Sequence, residues 1–162
     1  HVSKSQKRVL NRNKDLKVTF ELPSCSDEIY ALYEDYINQR HSDGDMYPPS
    51  IDQFESFLCQ SPESSNTRFI CFRLDQKLLA VAVVDLLPKG VSAIYTFFDP
   101  MYEIRSLGRL AVLWQIRWAQ SQEMDFVYLG YWIKDCQKMA YKAEYRPLQV
   151  FDDLIWQPLF VT

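Results

Sequence analysis

Three stretches of this 162-residue chain place reactive or charged side chains at spacings that could do chemistry. In FFDPMYEIRSLGRLAVL, residues 97–113, a strand-like run ends at Asp99-Pro100 and a helix is predicted to begin near Arg105. Free N–H groups and the helix dipole favour anions at such a start. Arg105 and Arg109, one turn apart, would add positive charge there. In YINQRHSDGDM, residues 36–46, Arg40 and His41 end a predicted helix and enter a loop. A histidine there could act as a general base, because imidazole titrates near neutral pH, or it could simply answer the negative helix end. An arginine there could grip a carboxylate with two N–H groups. In YLGYWIKDCQKMAYKAEYRP, residues 128–147, Lys134, Lys138 and Lys142 recur every four residues behind Tyr128, Tyr131 and Trp132. On an α-helix that spacing makes one basic edge. Aromatic rings beside cations suit an unpaired nucleotide end, where bases stack and phosphates meet lysine. They equally suit a solvated lysine edge over a packed core.

Composition excludes several other chemistries. Only four glycines are present, and they assemble neither a dinucleotide fingerprint nor a P-loop. Cys25, Cys59, Cys71 and Cys136 stand apart with no C-x-x-C pair, and His1 and His41 add little, so a zinc site is not predicted. Separate thiols in a reducing cytoplasm are expected instead. No secretory signal or bilayer-length apolar run is present. The net charge of −3 conceals an uneven distribution. Residues 1–17 hold six Lys/Arg against Asp15, residues 18–100 hold five basic and thirteen acidic groups, and residues 101–151 hold seven basic and five acidic groups. Two basic zones suit an anionic partner.

The elements that must position these residues follow from periodicity. Residues 1–16 are polar and basic and are expected to be a linker from an upstream region, leaving one domain over 17–162. VTFEL predicts a strand. SDEIYALYEDYINQRH predicts a helix capped by Ser26, and SIDQFESFLCQ one capped by Ser50. TRFICFRL, KLLAVAVVDLL and VSAIYTFFD predict three strands joined by hairpins. A long helix from Arg105, a strand at FVYLGYW, a helix at CQKMAYKAEY and a last strand at LIWQPL complete the chain. The class is α+β, a mostly antiparallel sheet with helices on both faces. The element order is similar to that of the GCN5-related N-acetyltransferases. In those enzymes an R/Q-x-x-G-x-G/A segment holds the pyrophosphate of acyl-CoA. Here Arg105 and Gly108 match, but Leu110 stands where the second small residue belongs, and bulk there is expected to obstruct close backbone approach.

The combination RHSDGDM, IYTFFDP, RSLG, YLGYWI and KMAYKAEYRPL, in this order, resembles the C-terminal domain of the aminoacyl-tRNA–protein transferases, and SKSQKRVLNRNKDL resembles the basic junction before it. The resemblance is closest to the bacterial aspartate/glutamate leucyltransferases, whose relatives are arginyltransferases. It implies a cytoplasmic enzyme of the N-degron pathway. Such an enzyme moves an amino acid from the 3′ end of a tRNA to the α-amine of a protein that begins with Asp or Glu. It implies no CoA, metal or other cofactor in this domain, and no membrane. Two departures stand out: the family's Cys-containing N-terminal region is absent, and Gln149 follows Pro147-Leu148 where the bacterial pattern has Glu.

The resemblance also suggests roles. Arg40 or Arg105 would hold the acidic side chain, since a guanidinium fork matches a carboxylate. Lys138, Lys142, Arg109 and the leader cations would meet tRNA phosphates, and Tyr131 or Trp132 would stack on the terminal adenine. Asp99 or His41 would take the proton from the attacking amine, and backbone N–H groups near Leu129–Tyr131 would hold the oxyanion. Leucine and arginine remain open as the transferred residue. A CoA-dependent N-acetyltransferase and a non-catalytic module that reads acidic N-termini are the readings from other classes.

Overall fold

A computed structural model describes residues 2–59, 66–133 and 136–159; the side chains of Gln137 and Lys138 lie outside that description. Helix α1 (Lys4–Arg12) is followed by β1 (Lys17–Glu21), α2 (Asp27–Arg40), α3 (Ile51–Leu58), β2 (Thr67–Leu74), β3 (Lys77–Leu87) and β4 (Gly90–Phe98). The 3₁₀ helix η1 (Pro100–Arg105), α4 (Leu107–Ser121), β5 (Phe126–Tyr128), the 3₁₀ helix η2 (Gln137–Glu144), β6 (Gln149–Asp152) and β7 (Ile155–Pro158) complete it.

The sheet runs in sequence order β1-β2-β3-β4-β5. Its first three pairings are antiparallel, and β4–β5 is parallel because α4 carries the chain across. β3 is buried on both faces, and its run LLAVAVV is apolar without alternation. Alternate residues feed two cores. Ile70, Phe72, Ala80, Ala82 and Val84 meet α1 and α4, while Phe69, Cys71, Val81 and Val83 meet α2 and α3. Helices therefore cover both faces, as the periodicity predicts.

The leader is not a linker over its whole length. Ser3 and Gln6 form a reciprocal capping box, and Val9, buried, joins the α4 core with Leu10 packed beside it. Two adjacent apolar residues and a cap hold a helix that seemed too polar to dock. The strand expected over 126–132 stops at Tyr128, since Gly130 takes φ +73° and turns the chain. The helix expected at 136–145 is 3₁₀, so residues four apart stand about 120° apart around its axis. The one-edge row expected of Lys134, Lys138 and Lys142 therefore does not follow from this backbone; Lys134 and the side chain of Lys138 lie outside the described residues. The last strand does not join the main sheet. β7 pairs with β6 in a separate hairpin, through Asp153 and Leu154, both at positive φ. Two of the four expected free thiols are joined: Cys25, before α2, and Cys59, after α3, form a disulfide across 34 residues because the two helices pack side by side. Cys71 is buried and Cys136 half-buried.

Candidate active site

β4 and β5 pair only at Gly90↔Phe126, Val91↔Val127 and Ser92↔Tyr128. β4 then runs on to Phe98 while β5 has ended, which leaves the β4 edge from Ala93 to Phe98 without a strand partner among the described residues. Gly90 permits the tight start, since a Cβ there would lie 2.7 Å from the Phe126 carbonyl oxygen. A bulge at Ile94, between the Val83↔Tyr95 and Val84↔Ala93 pairs, bends β4 where the strands part. The result is an open-sided cleft with strand backbone along one wall, the kind of place where an extended acyl or peptide chain can be held.

The C-terminal end of α2 closes one end of the cleft. His41 Nε2 lies 3.0 Å from the Tyr36 hydroxyl, with ring centroids 4.9 Å apart. Tyr36 packs 4.9 Å from Phe98, the last residue of β4, and the Arg40 guanidinium lies 5.5 Å above the same ring. Burial pushes the Tyr36 hydroxyl up to about 12, Arg40 pulls against this, and Tyr141 of η2 adds to it. Tyr36 is thus a neutral phenol at physiological pH. η2 stands beside the start of α4, where its Glu144 holds Arg109 at 2.7 Å.

The predicted site residues divide accordingly. Arg40 and His41 meet at the cleft end, where Arg40 donates to Glu103 at 3.1 Å. Arg109, in the first turns of α4, donates to Glu144 of η2 at 2.7 Å. Asp99 caps η1 by accepting from Met101 N at 2.9 Å, and its other oxygen pairs with Lys77 at 2.8 Å. Arg105 points away from the cleft: both of its nitrogens donate to Asp15 at 2.9 Å, and one also reaches the Arg12 carbonyl at 3.3 Å. Tyr131 is 90% exposed, and its carbonyl accepts from Lys142 Nζ at 2.8 Å. The Trp132 indole Nε1 is buried without a hydrogen-bond partner. Leu110 is turned into the core, so it does not block the start of α4. Gly108 lies tight against Phe98, 3.4 Å from a built Cβ to the ring. Sequence reasoning passed over Tyr36 and Tyr141. The five-residue step from Tyr36 to the helix-terminal His41 was the available signal, but helical periodicity assigned Tyr36 to the core.

A second hollow, about 460 Å³, lies at Cys25, Asp52, Glu55, Ser56 and Cys59. It sits at the opposite end of α2, roughly 20 Å from His41 by helix rise, away from the cleft. Among the described residues no His, Cys, Asp or Glu cluster is placed to hold a metal, and no helix is long and apolar enough to cross a membrane.

Comparison with known proteins agrees with this architecture. An acetyltransferase from Streptococcus agalactiae superposes with a TM-score of 0.56 over 92% of each chain at 13% identity, which establishes a GCN5-related N-acetyltransferase-like fold. Aspartate/glutamate leucyltransferase from Stutzerimonas stutzeri is 55% identical over 158 residues, 98% of this chain and 66% of the relative. The protein of that name from Pseudomonas fluorescens is 55% identical over 154 residues, 95% and 65% respectively. The chain thus spans just under two thirds of these relatives' length. Residues 28–152 match the family described as arginine-tRNA-protein transferase, C terminus, and the chain belongs to that family.

Proposed function

We propose that this chain is the transferase domain of an enzyme that moves leucine from leucyl-tRNA to the α-amine of proteins beginning with Asp or Glu, marking them for degradation. The observation that carries this reading is 55% identity, across nearly the whole chain, to proteins named for that activity. The cleft between β4 and the end of β5 is compatible with it. In the reaction the amine nitrogen attacks the ester carbonyl carbon. The C–N bond forms, the bond to the ribose oxygen breaks, and the proton lost by nitrogen ends on that oxygen.

His41 is the proposed proton carrier. Its Nε2 lies 3.0 Å from the Tyr36 hydroxyl, and imidazole is a side chain suited to carrying a proton in such a transfer. Asp99 serves less well, since both its oxygens are engaged. Because the ester is already activated, holding amine and ester together supplies much of the rate. Lys4, Lys7 and Arg8, exposed on α1, and Arg109 at the cleft are proposed to meet the tRNA phosphates, with the exposed Tyr131 ring stacking on the terminal base. Arg105 acts through α1, which it fastens to η1, while Arg40 lines the cleft end.

The test offers an Asp-initiated peptide with labelled leucyl-tRNA, arginyl-tRNA or acetyl-CoA to the full-length protein. Label on the peptide from leucyl-tRNA alone is expected. Transfer from arginyl-tRNA alone would change the donor, and transfer from acetyl-CoA alone would overturn the reading.

A further inference from the structure

Recognition of an acidic N-terminus needs a cation able to accept a carboxylate without first surrendering one. Among the described residues Arg40, Arg73, Lys77, Arg105 and Arg109 already hold Glu103, Glu28, Asp99, Asp15 and Glu144. Lys142 differs. It is half-buried, and its ammonium donates to a main-chain carbonyl, that of Tyr131, at 2.8 Å. Two of its three N–H groups are left for a ligand. The next residue after Tyr131 brings another donor, the indole Nε1–H of Trp132, buried and without a partner. A buried unpaired donor is costly to leave so, which marks the indole N–H, one residue from the carbonyl that holds Lys142, as a second candidate donor.

The location fits the chemistry. Glu144, two residues beyond Lys142 on η2, holds Arg109 in the first turn of α4; Gly108 beside it packs on Phe98, the ring that Tyr36 meets, and Tyr36 lies against His41. The donors therefore lie at the same end of the cleft as the proposed proton carrier. Partial burial strengthens a single ion pair and suits a small carboxylate. A phosphodiester chain is better met by the exposed cations of α1.

We propose that Lys142, assisted by the Trp132 indole N–H, is the site that binds the side-chain carboxylate of the acceptor's N-terminal Asp or Glu. The inference rests on the transferase reading for its substrate, but its test does not use transfer. Labelled peptides identical except for Asp or Asn at the N-terminus are titrated against the full-length protein without tRNA. The wild type is expected to prefer Asp by about tenfold or more, the strength of hydrogen bonds to a charged group. Lys142→Met should bring the Asp/Asn ratio close to one, Lys142→Arg should restore part of it, and Trp132→Phe should reduce it about threefold or more. Trp132→Phe removes the indole N–H while keeping an aromatic ring at a half-buried position, so it keeps the test informative if Lys142→Met fails to fold. A wild type with no preference, or variants that weaken both peptides equally, would overturn the proposal. So would Lys142→Met lowering tRNA retention while leaving the Asp/Asn ratio intact. A positive peptide result without leucyl transfer would leave this site standing and sink the transferase reading alone.

Discussion

Asn13→Ala tests whether the basic leader is part of the cooperative fold. Asn13 is buried at 5% exposure, just after α1. Its Nδ2 donates to the Val9 carbonyl at 2.8 Å and to the Arg105 carbonyl at 2.9 Å, and its Oδ1 accepts from Arg105 at 3.4 Å. The amide thus closes the end of α1 and ties it to Arg105, the last residue of η1. Each neutral bond is worth about 1 kcal/mol net. The long Arg105 contact contributes little, but two carbonyls lose their donor in a largely buried place. The expected loss is about 2–3 kcal/mol. With a urea slope of about 2 kcal/mol per molar for a small domain, the midpoint should fall by roughly 1–1.5 M. Unfolding followed by both tryptophan fluorescence and circular dichroism should shift by the same amount. Arg8→Ala, at an exposed position of α1, should stay within about 0.5 kcal/mol of the parent. If Asn13→Ala leaves the midpoint unchanged while α1 amides exchange faster, α1 opens alone and the leader is an appendage. That result would refute the reasoning.

Other consequences can be checked with simple measurements. A thiol reagent should modify Cys136 in the native protein well before Cys71, because burial pushes the Cys71 thiol up to about 12 and hides it from solvent; comparable rates would contradict the described core. Gly90→Ala should cost about 1–3 kcal/mol and loosen β5, since its Cβ would meet the Phe126 oxygen at 2.7 Å and Tyr128 Cε2 at 3.1 Å; an unchanged melting temperature would mean the β4–β5 pairing is not that close. Arg73 holds the Glu28 carboxyl below its usual range through a hydrogen-bonded pair. That stabilisation is present above the unfolded-state value and is lost as pH falls through the lowered folded one. The pair is half-exposed, so Glu28→Gln should cost no more than about 1 kcal/mol at neutral pH, with the gap closing on acidification; a gap independent of pH would rule out the ion pair as its source.

Residues whose neighbours are close in sequence were legible; those held by distant partners were not. TRFICFRL and KLLAVAVVDLL name β2 and β3 end to end, because apolar runs broken by a two-residue turn leave few other structures. Ser26 and Ser50 mark their helices because each cap bonds three residues ahead. The hairpin β6–β7 was missed because its turn places Asp153 and Leu154 at positive φ without a glycine. The site was less legible still. Arg40, Arg105 and Arg109 looked equivalent as free cations, yet their partners lie 63, 90 and 35 residues away. The Cys25–Cys59 pair was hidden by a 34-residue gap.

Those distant pairs also bear on the proposed change of acyl donor in an acetyltransferase-like fold. The cleft that separates β4 from the end of β5 is a property of the sheet and says nothing about which acyl group enters it. What surrounds the cleft is particular to this chain. The arginine expected to face an anion at the start of α4 is instead drawn back by Asp15, and the same contact fastens a helix whose exposed face carries Lys4, Lys7 and Arg8. A broad basic surface suits a long polyanion whose reactive end alone reaches the cleft. Under the proposed reading, the half-buried Lys142, whose ammonium meets a main-chain carbonyl, has the smaller and more specific task of telling Asp from Asn.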